Sequence, residues 1–318
     1  MNGELEDWDD FIVSENFMKR VIENELNDQL DKYCDGVKKL IRNYLPFDDY
    51  KYCMIEGGHR CTFLISGNKK YILTICGGEE SADTRNIIRI KDKLQINKAI
   101  VIYEDSNYCL MHFANRIENW EYGDYLKQAV LYLKRIHNCN ESIIRTTVND
   151  YRYLELKFRA QIERLNITFI DQSIFSWIDE EIIPIIDKYG NKLCHGDASY
   201  GNVLEYNGKV EFVDWELLKM GNPLFDIFYF YESLSSIYVN DTSILLKNIL
   251  SIYYPAGINI ENIENIVSMR IYFMFWRTIN FAKSEIKNSE AISSLLNLKK
   301  LWEAGDYISV IKDVVEVI

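Results

Sequence analysis

Hydrophobic positions along this chain change period several times, and each change marks a new kind of element. From about residue 14 to 45, Phe17, Val21, Leu26, Leu30, Val37, Leu40, Ile41 and Leu45 recur at helical spacing. They predict one or two helices ending near Pro46. Two strand-like runs follow, CTFLIS (61–66) and KYILTIC (70–76), joined across Gly67-Asn68, a hairpin turn signal. Gly57-Gly58 precedes the first run and Gly77-Gly78 ends the second. Residues 83–95 read as a helix, after which KAIVIYE and NYCLMHF predict two more strands around Asp105-Ser106.

Beyond Trp120 the helical period takes over, in YLKQAVLYLKRIH and again in FSWIDEEIIPIIDKY. Strand-like pieces return only between residues 193 and 213 (KLCH, NVLEY, VEFVDW), and from about 222 the pattern is helical to the end. The expectation is an α+β chain. Residues 1–113 form a small antiparallel β-sheet with flanking helices, and residues 114–318 form a mostly helical half. No Pro/Ser-rich linker separates them, and no internal repeat is seen.

Composition narrows the classes of partner. Hydrophobic residues make up 48% of the 318, enough for a sizeable core, and the charged fraction of 26% does not point to disorder. A formal net charge of −12, with scattered lysines, reads against nucleic acid as a partner, because phosphate backbones need a concentrated basic face. The seven cysteines (34, 53, 61, 76, 109, 139, 194) have no C-x-x-C spacing. A disulfide framework or zinc site is not expected, and a reducing cytoplasm is the natural home. The stretch IVSMRIYFMFWRTINFA is interrupted by Arg270 and Arg277, so it reads as a buried helix rather than a membrane span. The sequence fixes no oligomeric state.

The chemistry concentrates in residues 193–230, LCHGDASYGNVLEYNGKVEFVDWELLKMGNPLFDIFYF. His195-Gly196-Asp197 is followed five residues after the Asp by Asn202, and Asp214 ends the next strand-like run. Phosphoryl transfer to a hydroxyl needs a carboxylate beside the acceptor and oxygen ligands for the Mg²⁺ that neutralises the phosphates. Mg²⁺ is hard and takes carboxylate and amide oxygens, so an Asp/Asn loop followed by a strand-end Asp supplies that set.

HGD-x4-N-x-L followed by V-D-W-E resembles the catalytic loop and metal-binding strand of the aminoglycoside phosphotransferase and choline kinase superfamily. The resemblance implies a protein-kinase-like bilobal fold, with a nucleotide-covering sheet in the N-terminal lobe and an acceptor pocket in the helical lobe. It implies Asp197 as catalytic base, His195 as the brace of its loop, and Asn202 and Asp214 as metal ligands. Asp226, in GNPLFDIF, matches the downstream Asp that holds the catalytic loop, and LKRIH (133–137) matches a helix end before the catalytic half. The implied cofactor is Mg²⁺ with ATP or GTP as co-substrate. The implied partners are that nucleotide and a small acceptor such as an aminoglycoside, a choline-like amine, a sugar or a glycan precursor.

For the nucleotide, Gly57, Gly58 and Arg60 stand where the family has its phosphate-covering turn. Met111, His112 and Phe113 stand where backbone atoms meet adenine. One position departs from the pattern. The phosphate-binding Lys or Arg of KYILTIC is Thr74, and its usual acidic partner matches Asn86. Lys70 shares the parity of Thr74 but lies roughly 13 Å along the strand, so Arg60 is the better substitute cation. The rival this departure raises is a nucleotide-binding or structural scaffold without turnover. A protein kinase is disfavoured, since no Arg follows His195 and no D-F-G or A-P-E segment is present.

Overall fold

A computed structural model describes residues 37, 39–45, 51–57, 61–75, 82–105, 107–120, 124–141, 172–237, 242–280 and 285–311. The helices expected between residues 14 and 36 lie outside these residues. The described chain falls into two compact units, one containing residues up to 88 and 98–114, the other 89–97 and 115 onward.

The first unit is built on a five-stranded antiparallel sheet of β1 (Lys51–Gly57), β2 (Cys61–Ser66), β3 (Lys70–Ile75), β4 (Val101–Glu104) and β5 (Tyr108–His112). Its strand order is β1-β2-β3-β5-β4. The expected hairpin joins β2 to β3, with Gly67 N–H bonded to the Lys69 carbonyl at 3.0 Å. Alternation decides the faces: Tyr71, Leu73 and Ile75 of β3 are buried, with Phe63 and Ile65 of β2 beside them. They pack with Val37, Leu40, Ile41 and Leu45 from the preceding helical residues into one apolar core. The β4–β5 turn forms at Asp105, whose Oδ1 accepts from Asn107 N–H at 2.8 Å and Tyr108 N–H at 2.7 Å. Strand β1, KYCMIEG, is an addition to the sequence reading. A register shift between Met54 and Glu56 breaks its period of two, which removes the signal by which a strand is recognised.

Helix α1 (Ala82–Leu94) leads from this sheet into the second unit, which holds α2 (Tyr125–His137), α3 (Gln172–Trp177) and α4 (Ile183–Lys188). Between α3 and α4 the helix widens into a π-turn over Ile178–Ile182. There Ile183 N–H donates to the Ile178 carbonyl five residues back, and Pro184, with no N–H to offer, follows at once. Helices α5 (Pro223–Ser235), α6 (Thr242–Tyr253), α7 (Ile260–Asn280), α8 (Glu285–Glu303) and α9 (Tyr307–Ile311) complete the helical part. The short strands β6 (Asn115–Arg116), β8 (Val203–Tyr206) and β9 (Lys209–Phe212) form one sheet, and β7 (Lys192–Cys194) pairs with β10 (Lys219–Gly221). Among the described residues no helix is long and apolar enough to cross a membrane.

Candidate active site

The β8–β9 hairpin turns on Asn207-Gly208, both with positive φ (52° and 77°), the backbone a two-residue hairpin of matching twist requires. Gln128 of α2 grips it by accepting from Val210 N–H at 3.2 Å. The register Val203↔Phe212 continues one step further, where Val213 N–H donates to the Asn202 carbonyl at 2.9 Å. Asn202 is thereby set opposite Val213, one residue from Asp214. Asp214 itself adopts a left-handed conformation (φ 62°, ψ 62°) and is exposed. The Trp215 indole N–H reaches back to the Phe212 carbonyl at 2.6 Å and closes the turn around it.

The loop from His195 to Asn202 is fastened to that turn. Asp197 N–H donates to His195 Nδ1 at 3.2 Å, so Nε2 carries the proton and donates to the Val213 carbonyl at 2.9 Å. Complete burial holds the His195 pKa below its ordinary value, which keeps the ring neutral in this bridging role. Asn202 Nδ2 donates to the Asp197 carbonyl at 2.9 Å and to its Oδ2 at 3.0 Å. The three residues read from the motif, Asp197, Asn202 and Asp214, therefore stand on one loop-and-hairpin assembly.

Beneath it lies Asp226, fully buried on α5. Its Oδ2 accepts from His195 N–H (2.7 Å) and His137 Nε2–H (3.0 Å), and its Oδ1 accepts from Gly196 N–H (3.0 Å). Burial alone would raise this carboxyl, but the bonds from His137 and Gly196 and the neighbouring imidazoles win and hold it below the usual range. His137 is the end of the LKRIH helix, and its Nδ1 meets the Tyr253 hydroxyl at 2.9 Å. Another α5 residue, Ser233, accepts from Tyr200 N–H at 2.9 Å and tethers the middle of the loop. No spacing in the sequence singles out Ser233, since a serine on a helix is an ordinary sight.

Helix α5 also turns a phenol toward Asp197. The Tyr229 phenol is pushed up to about 12, by burial and then by the Asp197 charge and a hydrogen bond to it. One turn on, burial pushes Glu232 up to about 7 despite Arg277, whose Nε lies 3.4 Å from its Oε2. Tyr229 stacks on Phe225 (5.9 Å, 8°) and meets Trp276 edge-on at 6.3 Å, and Trp276 meets Phe273 at 6.1 Å.

The donor set fits a hard divalent cation. With Nδ2 of Asn202 committed to Asp197, its amide oxygen is the atom left for a metal, and Asp214 brings a carboxylate from the adjacent turn. His137, Cys194 and Asp226 also bring ligand atoms within 4.8 Å of one another. That buried group fits a hydrogen-bonded strut instead, because both Asp226 oxygens already accept N–H groups and burial drives the Cys194 thiol well up.

In the sheet unit, Gly57 ends β1, while Gly58 and Arg60 lie outside the described residues. Met111 and His112 close β5 and Phe113 follows. The N–H groups of His112 and Phe113 are already bonded, to the Ile100 carbonyl at 2.8 Å and the Lys70 carbonyl at 3.2 Å. That narrows what these residues could give a nucleotide base to other backbone atoms. Thr74 faces away from the core, half-buried, with its hydroxyl 3.5 Å from that of Thr62. The Lys70 ammonium lies over the Phe113 ring, 5.5 Å from its centre. The side chain of Asn86 lies outside the described set.

Comparison with known proteins agrees with the motif. The model of a family described as "Phosphotransferase enzyme family" matches residues 60–253. A curated relative, a LicA homolog of Metamycoplasma hominis, is 25% identical over 172 residues. That match spans 48% of this chain and 66% of the relative, just under two thirds of its length. Among solved structures, a choline kinase from Cryptosporidium parvum matches with a TM-score of 0.54 at 14% identity, covering 86% of this chain and 97% of that one. The choline kinase LicA from Streptococcus pneumoniae matches with a TM-score of 0.52 at 16% identity, covering 84% and 99%. At such identities the likeness shows a shared kinase-like α+β fold.

Proposed function

The chain belongs to the phosphotransferase enzyme family, and from that premise we propose that it moves the γ-phosphoryl group of ATP or GTP onto a hydroxyl of a small molecule. The observation that carries this reading is the Asn202 amide. It fixes the main chain and carboxylate of Asp197 on one side, while its backbone pairs beside Asp214 on the other. Asp197, so held, orients the acceptor hydroxyl and takes its proton as the acceptor oxygen bonds to phosphorus. The bond from phosphorus to the bridging oxygen breaks, and the nucleoside diphosphate leaves. Asn202 and Asp214 would hold the Mg²⁺, which would supply charge neutralisation at the phosphates when bound. His195, neutral and buried, braces the loop. Gly57, Gly58 and Arg60 are assigned to the phosphates, and backbone atoms of Met111 to Phe113 to the base. The cytoplasm is the proposed compartment.

The acceptor class we favour is a cationic amino alcohol of the choline or ethanolamine kind. Tyr229 and Trp276, half-buried and edge to face, form an aromatic wall backed by the buried Phe273, and a cation over the two part-exposed rings is attracted by their quadrupoles. Glu232, whose burial is unfavourable despite Arg277 beside it, gains a second counter-charge if an ammonium group enters. The relatives named as choline kinases support the same class. The test is an assay of nucleoside diphosphate release from Mg-ATP and Mg-GTP with choline, ethanolamine, an aminoglycoside or a neutral sugar. Release with an amino alcohol, lost on the order of 10²-fold or more in Asp197→Asn, is expected. No release with any acceptor counts against the reading.

Thr74 supports a second reading, a nucleotide-binding scaffold. A hydroxyl pair, Thr62 with Thr74, stands where the resemblance implies a cation. Binding of Mg-nucleotide without diphosphate release, for every acceptor, would favour it.

A further inference from the structure

A buried carboxylate on β9 has no part in the chemistry above. Glu211 is 8% exposed and lies three residues before Asp214 on the strand that delivers it. Burial raises the pKa of this carboxyl, and groups from two other elements offset part of that cost. The Tyr132 hydroxyl of α2 donates to Glu211 Oε2 at 3.1 Å, and the backbone N–H of Asn97, in the turn after α1, also bonds the carboxylate. Arg135 adds its charge nearby, with its guanidinium 4.6 Å from the centre of the Tyr132 ring. Asn97 is itself buried and left-handed, with φ 55°, and its Oδ1 lies 3.3 Å from the same hydroxyl. A hydroxyl has one hydrogen, and the shorter contact to the carboxylate is the one that takes it.

The Tyr132 ring is placed by this bond against the residues that flank Asp214. Its centre lies 5.4 Å from that of Phe212 and 6.3 Å from that of Trp215. Those two residues are joined by the indole-to-carbonyl bond that closes the turn. Asp214 occupies a backbone region that non-glycine residues adopt at a cost, so the turn keeps its shape only while its surroundings enforce it. The Tyr132 ring is one of those surroundings, and Glu211 pins the ring.

We propose that Glu211 and Tyr132 form a positioning pair that sets how tightly the Asp214 turn holds a divalent cation, by fastening β9 to α2 and to the turn after α1. This rests on the reading of Asp214 and Asn202 as metal ligands. Neither residue of the pair touches the metal or the substrates.

Mn²⁺, standing in for Mg²⁺, is titrated into the full chain at fixed ADP, and free Mn²⁺ is read by electron paramagnetic resonance against an ADP blank. Tyr132→Phe keeps the ring and removes only the pinning bond. It is expected to raise the Mn²⁺ midpoint by roughly 3- to 10-fold, less than the 10- to 100-fold typical of a group bonded directly to a ligand. Glu211→Ala is expected to do the same or more. Glu211→Gln keeps an oxygen for both donors and is expected within about two-fold of wild type. Thermal unfolding of each variant is recorded alongside. A lowered melting temperature with an unchanged Mn²⁺ midpoint in Tyr132→Phe makes the pair a strut only and overturns the proposal, even if Glu211→Ala fails to fold. Wild-type protein that binds no Mn²⁺ saturably, or an Asp214→Ala variant that binds it as well as wild type, overturns the metal-site reading and this proposal with it.

Discussion

A Cβ at position 196 would lie 2.2 Å from the Leu217 carbonyl oxygen, and Gly196 sits at φ 87°. Both facts follow from one demand: the backbone must turn sharply so that the N–H groups of residues 195 and 196 meet the Asp226 carboxylate. Gly196→Ala is expected to destabilise the fold by about 3 kcal/mol or more, through backbone strain and the clash, visible as a lower urea midpoint. Glu232 makes a second residue-scale case, with the sign worked out from burial. Its folded pKa of about 7 stands above the ordinary 4.5, so the protonated form fits the folded protein better. Stability is full below pH 4.5 and falls as pH rises toward 7, by on the order of 3 kcal/mol for this group. Glu232→Gln is therefore expected to melt at temperatures that change less between pH 5 and pH 8 than those of wild type. An unchanged pH slope in the variant would show that Glu232 ionises freely. At this scale the site was partly legible. That Asp197, Asn202, Asp214 and Asp226 belong to one assembly was readable because they stand at fixed spacing along one segment. Tyr132, Glu211 and Ser233 act through contacts between distant segments, and a lone Tyr, Glu or Ser carries no spacing signature.

Helix α5 is the element on which the site is strung, since it carries Asp226, Tyr229, Glu232 and Ser233. Its start is fixed by Asn222, whose Oδ1 accepts from Leu224 N–H at 3.0 Å. The same side chain donates from Nδ2 to the Ile186 carbonyl at 3.0 Å and to Asn265 Oδ1 at 2.6 Å, so one buried amide joins α4, α5 and α7. Asn222→Ala removes the cap and leaves a buried carbonyl and a buried amide short of partners. A loss of about 2–4 kcal/mol is expected, measured by chemical denaturation. Asn222→Asp keeps the cap but has no N–H to offer, so it is expected to recover only the cap's share of about 1 kcal/mol. Equal stability of Asn222→Ala and wild type would remove the amide from any role in setting α5. Elements with a sustained period were legible: α1, α2, α5 and the β2–β3 hairpin fall where the pattern of apolar residues predicts them. Strand β1 was hidden by its bulge. The π-turn at Ile178–Ile182 was hidden because a helix that widens by one residue keeps its apolar face.

For the molecule as a whole, the governing quantity is charge. A chain of net charge −12 repels a nucleotide triphosphate at long range, and the described face of β3 offers Thr74 where a cation was expected. Nucleotide binding should then depend steeply on the divalent cation, because in the proposed site Mg²⁺ would supply positive charge at the phosphates that Arg60 alone would not match. A ligand that binds only the folded chain stabilises it by about 2.7 kcal/mol at a hundred times its Kd. For a protein of this size that is a rise in melting temperature of several degrees. ATP or GTP with Mg²⁺ is expected to give that rise, and either nucleotide with a chelator is expected to give little. Asp214→Ala should lose the Mg²⁺-dependent part, since it deletes a carboxylate from the proposed metal set. Asp197→Asn should keep it, since the proposed role of Asp197 is at the acceptor hydroxyl rather than at the nucleotide. The reverse pattern in those two variants would exchange their roles. A wild-type chain that neither nucleotide stabilises, with or without Mg²⁺, would leave the ordered loop and hairpin around Asp197 as the frame of a scaffold, with Thr74 as the substitution that marks it.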